Sequence, residues 1–155
     1  MLSFNESVRE LLECTIDSVK QVMQIPVTID VPYLYKETAL QTGMCVLVGF
    51  TGEIAGRMLI DGGNESFGRL GENMYGMALE GEMLHSFVGE IANMVAGNIC
   101  TLISEKGRKV DITPPTITVE EMKLLGFEKV IFVPLAIENV GEMNIILLLQ
   151  QEKVA

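Results

Sequence analysis

The chain repeats one short pattern, and this repeat constrains the fold more than any other feature. Val27-x-Ile29-x-x-Pro32 recurs as Val110-x-Ile112-x-x-Pro115, and each copy follows a helical pattern and precedes two strand-like segments joined by a turn. β-Branched residues and proline favour extended backbone over helix. The repeat therefore predicts two helix–extended–β-hairpin units, with chance similarity between short apolar strings as the alternative.

Apolar spacing and turn residues set the expected bounds of these units. The first helix is expected over residues 5–23, capped by Ser3 or Asn5, and the second over residues 82–105. A further helix, from Gly62-Gly63-Asn64 to about residue 77, is inserted between the units. The hairpin strands are expected at residues 44–50 with 56–60, and at 130–137 with 143–150.

Together these elements predict an α+β fold in which the hairpins form an antiparallel sheet and both long helices pack on one face. The chain of 155 residues fits a single domain spanning 1–155. Residues 145–149 are apolar without alternation, so both faces of that strand need cover. The helices cover one face, and a dimer interface or the inserted helix is expected to cover the other.

The second long helix has an unusual polar face. At about 100° per residue, Glu90 and Asn93 lie about 60° apart on that face, with Ser86 and Gly97 beside them. Glycine inside a helix costs about 1 kcal/mol relative to alanine, yet Gly89 and Gly97 both occur here. We infer that another molecule approaches this face closely. The opposite face carries an apolar stripe: Leu84, Val88, Ile91, Val95, Ile99 and Leu102.

Composition narrows the function classes. The formal net charge of −10 argues against nucleic acid, and the basic cluster Lys106, Arg108 and Lys109 is explained by the dipole at the end of the long helix. The three cysteines lack metal-ligand spacing and indicate a reducing compartment. Because no apolar run approaches membrane-spanning length, a cytoplasmic location without membrane contact is expected.

The common motifs of self-contained catalysis are missing from the sequence. The chain has no phosphate-binding loop, no dinucleotide fingerprint and no Gly-x-Ser-x-Gly elbow, and His85 is its one histidine. The Glu90 carboxylate and the Asn93 amide remain. A carboxylate can pair with a lysine of another protein, and an amide can hold a water molecule. The plain alternative is a solvated glutamate and asparagine on an outward helix face.

The segment Ser86-x-x-x-Glu90-x-x-Asn93, followed about twenty residues later by Pro114-Pro115, resembles the signature of the CheC/CheX/FliY phosphatases. The string from Gly89 to Asn98 is most similar to CheX. CheC proteins usually carry two Glu-x-x-Asn sites and CheX one, and this chain has one. A FliY protein would need an additional flagellar-switch domain.

The resemblance implies a phosphatase that hydrolyses the aspartyl phosphate of a CheY-like response regulator. Glu90 would pair with the regulator's lysine, and Asn93 would position the attacking water. Mg²⁺ is expected on the partner, and the chain itself is expected to need no cofactor or metal. Supporting or partner-docking roles would fall to Ser86, Gly89, Gly97 and Pro115.

The resemblance also implies a homodimer joined through sheet edges, for which residues 144–150 and 130–137 are the candidate strands. One alternative function is a non-catalytic binding module that recognises a receiver domain or signalling scaffold through the same helix face. Another is a structural homodimer that buries Glu90 and Asn93.

Overall fold

Three helices set the frame of the protein in a computed structural model that describes residues 3–119 and 121–150. They are α1 (Phe4–Val22), α2 (Gly63–Tyr75) and α3 (Gly81–Glu105). Ser3 caps α1, because its hydroxyl accepts a hydrogen bond from the Glu6 backbone N–H. Gly76 ends α2 in the left-handed conformation that glycine adopts without strain. The three predicted helices are therefore confirmed to within a few residues.

Ten strands complete the described chain, six of them in the main run of one antiparallel sheet. The predicted hairpins are β4 (Cys45–Gly52) with β5 (Gly56–Asp61), and β9 (Lys129–Ile137) with β10 (Gly141–Leu149). The extended repeats form β1 (Val27–Ile29) and β6 (Val110–Ile112). The remaining strands were not anticipated: β2 (Tyr33–Leu34), β3 (Ala39–Leu40), β7 (Thr116–Thr118) and β8 (Met122–Lys123).

The order of the strands confirms the duplication. The sheet runs β1-β9-β10-β5-β4-β6. This order is symmetric about its centre: the extended strands β1 and β6 lie at the two ends, β9 and β4 come next, and β10 and β5 lie in the middle. Each extended strand pairs with the hairpin of the other unit, β1 with β9 and β6 with β4. The short strands follow the same rule, because β2 joins β9, β7 joins β4, and β3 pairs with β8.

All three helices pack on one face of the sheet. Phe67 and Leu70 of α2 belong to the same buried cluster as Leu11 of α1 and Ile91 of α3. The expectation that the inserted helix covers the opposite face is therefore wrong. Along β10, alternate side chains face this cluster, while Ile146 and Leu148 face the other side, as the pleat requires.

A second, smaller core covers that other side. Leu40 and Leu124 pack there against Ile146 and Leu148, on segments that also carry the β3–β8 pair. The cover thus comes from the chain's own loops. The sheet order also corrects the dimer expectation: residues 144–150 cannot supply a free edge, because β10 lies between β9 and β5. Residues 130–137 have β1 and β2 along their other side.

Helix α3 is long and apolar enough to cross a membrane by length and composition alone. Its apolar stripe is instead buried in the main core, where Val88, Val95 and Ile99 have no exposed surface. We therefore interpret α3 as a core helix. The single domain predicted over 1–155 also includes residues 1, 2, 120 and 151–155, which lie outside the described residues.

Candidate active site

Helix α3 presents Glu90 and Asn93 to solvent, as its periodicity predicts. Both residues are exposed, while Val88, Ile91 and Val95 between and beside them are buried. The register of α3 is fixed by that buried stripe, so the core holds the polar face outward. Within the described residues, neither the Glu90 nor the Asn93 side chain has a hydrogen-bonding or ionic partner.

The edge of the sheet forms the second wall of the site. Strands β6 and β7 both pair with β4, and between them Thr113-Pro114-Pro115 bulges out of the ladder. Proline has no N–H to donate, and it is tolerated in this bulge because the two prolines take no part in the hydrogen bonds of the ladder. The bulge places Pro115 beside Gly89 of α3.

Thr113 anchors this bulge to β4. The Gly49 N–H donates to the Thr113 Oγ1 at 2.8 Å, and the Thr113 N–H donates back to the Gly49 carbonyl at 2.9 Å. A Cβ at residue 49 would stand only 3.0 Å from that Oγ1, so glycine permits the close approach. The Pro-Pro segment is therefore held in a defined position against α3.

The helix and the bulge enclose an open depression of about 500 Å³. Five of the six residues that we singled out line it: Ser86, Gly89, Glu90, Asn93 and Pro115. Its wall also contains residues for which we had predicted no role: His85, Ile112, Thr113, Pro114 and Ile117. The sixth, Gly97, is not among the lining residues, and a Cβ there would meet open space.

Gly89 lies in the helix wall of the depression, next to Pro115 of the bulge. A Cβ added at residue 89 would lie 3.8 Å from the Pro115 Cγ, which is ordinary van der Waals contact. A larger side chain would project into the depression itself. His85 lies at the rim and is exposed, so it is a surface residue rather than part of the core.

The surroundings of the depression limit its chemistry. No group of three or more His, Cys, Asp or Glu within residues 3–119 and 121–150 is arranged to hold a metal ion. Burial raises the pKa of each cysteine thiol, Cys14, Cys45 and Cys100, so none supplies a thiolate at neutral pH. Among the described residues, the depression therefore offers the Glu90 carboxylate and the Asn93 amide beside the Ser86 and Thr113 hydroxyls and His85, and it contains no cysteine.

The matching position in the first unit is occupied differently. Val8, Leu11, Thr15 and Val19 of α1 are buried at the same spacing as Val88, Ile91, Val95 and Ile99 of α3. By that match Glu10 and Glu13 take the places of Glu90 and Asn93. Glu10 pairs with Arg108 at 3.5 Å, and Glu13 pairs with Lys106 at 3.6 Å.

These two ion pairs change the interpretation of the basic cluster. Lys106 and Arg108 contact carboxylates of α1 in addition to their position at the end of α3, where Arg108 donates to the Lys106 carbonyl. The first unit therefore has no free carboxylate–amide pair, and its counterpart face is engaged with the chain's own cations.

Comparisons with known proteins point to a single family. The family model for chemotaxis phosphatase CheX matches residues 44–126. The CheY-P phosphatase CheX of Thermotoga maritima is 24% identical over 135 residues, which are 84% of this chain and 86% of that protein.

Solved structures of other proteins share the fold. A chemotaxis protein CheX from Desulfovibrio desulfuricans superposes with a TM-score of 0.77 at 19% identity, covering 94% of this chain and 99% of that one. The CheX–CheY–BeF3–Mg²⁺ complex from Borrelia burgdorferi gives a TM-score of 0.74 at 21% identity, covering 97% and 100%.

Proposed function

This chain belongs to the chemotaxis phosphatase CheX family, and we propose that it hydrolyses the aspartyl phosphate of a CheY-like response regulator in the cytoplasm. The observation that carries the proposal is the depression in which Glu90 and Asn93 stand exposed and unpartnered among the described residues. The relative from Thermotoga maritima is a CheY-P phosphatase, and the Borrelia burgdorferi protein is a CheX complexed with CheY.

The proposed mechanism divides the catalytic groups between two proteins. The Glu90 carboxylate pairs with a lysine of the regulator and so fixes the orientation of the docked partner. The Asn93 amide accepts a hydrogen bond from a water molecule and holds it opposite the aspartyl oxygen. Mg²⁺ bound by the regulator would supply neutralisation of the phosphoryl oxygens.

The bond changes balance without a further reactant. The water oxygen bonds to phosphorus while the bond from phosphorus to the aspartyl oxygen breaks, which restores the regulator's carboxylate. Both protons of the water leave with inorganic phosphate, which passes one of them to solvent at neutral pH. Positioning is the main contribution of this chain, which is what phosphoryl transfer chiefly requires.

The remaining lining residues support that geometry. Ser86 lies one turn before Glu90, and Pro115 limits the space beside Gly89. The net charge of −10 is unfavourable for a free phosphate ester but acceptable for a protein substrate that brings its own cations.

The decisive experiment measures the lifetime of a phosphorylated CheY-like regulator with and without this protein. Wild type is expected to shorten the lifetime, and Asn93→Ala to slow turnover about a hundredfold while largely preserving binding, because one positioned polar group contributes about that factor. Glu90→Ala should weaken both binding and turnover.

Two outcomes contradict the proposal. A double variant, Glu90→Ala with Asn93→Ala, that dephosphorylates the regulator as fast as wild type would overturn the mechanism. Binding of the regulator without any change in its lifetime would instead support a non-catalytic binding module.

A further inference from the structure

Exposed apolar side chains flank the candidate active site on the side away from Pro115. Tyr75, Met83 and Met94, here called the methionine face, are 59%, 57% and 38% exposed. At about 100° per residue, Met83 and Met94 fall within about 40° of Glu90 around the axis of α3. They lie on the same side of the helix as Glu90.

Tyr75 is held in place beside these methionines. Its ring meets Phe87 of α3 edge-on, with the ring centroids 5.6 Å apart. Gly71 of α2 packs closely against this region, because a Cβ there would come within 2.6 Å of the Leu79 Cδ1 in the connection between the helices and 3.5 Å of the Phe87 Cδ2. The tyrosine is thus positioned one turn before Glu90 by contacts within the fold.

The charged side chains in the segment that contains the methionine face are all acidic. From residue 70 to residue 105 the chain carries five glutamates and neither lysine nor arginine. Glu72, Glu80 and Glu82 are all exposed near the α2–α3 junction. An apolar patch with an acidic rim complements a surface that is apolar at its centre and basic around it.

We propose that the methionine face docks the response regulator. The regulator's complementary surface would be an apolar patch, ringed by lysines and arginines, next to its phosphorylated aspartate. Tyrosine and methionine are enriched at the centres of protein interfaces, and the flexible thioether adapts to irregular surfaces. A second copy of this acidic chain, or an anionic lipid surface, would instead be repelled by the acidic rim. This docking role rests on the proposed function, and it makes Met83 and Met94 determinants of KM for the phosphorylated regulator.

The test separates binding from chemistry. Met83→Gln with Met94→Gln, in the full chain, is expected to raise KM for a CheY-like regulator phosphorylated with acetyl phosphate about tenfold and to leave kcat unchanged. Burial of apolar surface accounts for a factor of this size. The matched control is Leu125→Gln, since Leu125 is 75% exposed and lies in the segment that covers the other face of the sheet.

A second pair of variants tests the acidic rim. Raising the salt concentration should lower kcat/KM of the wild type, because salt screens the attraction between the acidic rim and the basic regulator surface. In the variant Glu80→Gln with Glu82→Gln this salt dependence should be smaller, because fewer charges attract the regulator. An unchanged KM in the methionine variant, or an equal change in Leu125→Gln, would overturn the proposal.

Failure of the proposed function would be distinguishable. If wild type leaves the lifetime of the phosphorylated regulator unchanged, the phosphatase proposal fails. Binding of the beryllofluoride-bearing regulator then tests docking by itself. Loss of that binding in the methionine variant but not in Leu125→Gln supports the docking surface, and equal binding by all three proteins rejects it.

Discussion

At the scale of single residues, Gly89 is where stability and the proposed activity compete. It lies inside α3, where alanine would be favoured by about 1 kcal/mol. The space for a methyl group exists, because an added Cβ would be in ordinary contact with the Pro115 Cγ at 3.8 Å. Glycine therefore costs stability here without being required by the packing of the fold.

We predict that Gly89→Ala stabilises the protein and impairs its function. The midpoint of thermal unfolding should rise by about 3 °C, as expected for about 1 kcal/mol in a domain of this size. The value of kcat/KM toward the phosphorylated regulator should fall, because the methyl group enters the depression that Gly89 lines. Thermal unfolding and turnover of the same samples provide the measurement.

Gly68→Ala is the matched control for that substitution. Gly68 is inside α2 and a Cβ there would meet nothing within 4 Å. It should give a similar stabilisation with unchanged turnover. If Gly89→Ala also leaves kcat/KM at the wild-type value, the glycine has no role in the reaction.

The residue scale is also where sequence reasoning reached furthest. Helical spacing alone places Glu90, Asn93 and Ser86 on one exposed face, since that prediction depends only on local geometry. The same projection groups Gly97 with these residues, although Gly97 is not among the residues that line the depression, and its docking role stays a prediction. Gly97 lies about 10 Å from Glu90 along the helix axis, a separation that an angular projection does not represent.

At the scale of elements, the bulge between β6 and β7 carries the wall of the site. Thr113 connects it to β4 through its side chain as well as its backbone. Strands β6 and β7 lie at the edge of the sheet and pair with a strand on one side only, so few other backbone hydrogen bonds fix the bulge between them. The hydroxyl of Thr113 is therefore expected to determine where Pro115 stands.

Thr113→Val should loosen the bulge while keeping the side-chain shape. Loss of the hydrogen bond from the Gly49 N–H is expected to cost about 1 kcal/mol in the free energy of unfolding, measured with urea. Turnover should fall as well, because Pro115 would no longer be fixed against α3. Thr113→Ser retains the hydroxyl and should stay near wild type. Equal stability and turnover in all three proteins would show that other contacts hold the bulge.

The short elements show why sequence patterns find some strands and miss others. The hairpin strands are long enough to show an apolar pattern, and they were predicted. Strands β2, β3 and β8 have two residues each, which is too short for any periodicity. Their pairing partners are set by the tertiary fold, so the cover over the second face of the sheet could not be predicted from spacing.

At the scale of the whole molecule, the two units are interlocked rather than placed side by side. Each unit's extended strand joins the other unit's hairpin. The repeat predicted two units but carried no information on this exchange, because strand order depends on contacts distant in sequence. Pro115 reaches Gly89 only through that order.

The homodimer stays a prediction, and its interface must be sought away from β9 and β10. The edges of the main sheet are short and interrupted by Pro32, Pro114 and Pro115, features that discourage pairing with another sheet. Sedimentation equilibrium is expected to give twice the chain mass of 17.0 kDa. A monomer mass at every concentration tested would reject the dimer.

Ion pairs between α1 and the turn after α3 connect the first unit to the second. Glu10 and Arg108 have side chains only 12% and 26% exposed, whereas Glu13 and Lys106 are 57% and 42% exposed. One oxygen of the Glu10 carboxylate is buried without a hydrogen bond among the described residues, so its nearest compensation is the Arg108 guanidinium. Removal of Arg108 would leave that carboxylate without its cation.

Arg108→Ala should therefore lower the free energy of unfolding by about 2 kcal/mol, less than for a fully buried pair. Lys106→Ala should cost under about 1 kcal/mol, as exposed pairs do. Adding Glu10→Gln to Arg108→Ala should recover part of the loss, because a neutral amide replaces an unpaired carboxylate. Urea unfolding of wild type, both single variants at residues 10 and 108, and their combination measures the coupling directly. An Arg108→Ala cost no larger than that of Lys106→Ala would show that this contact does not tie the two units together.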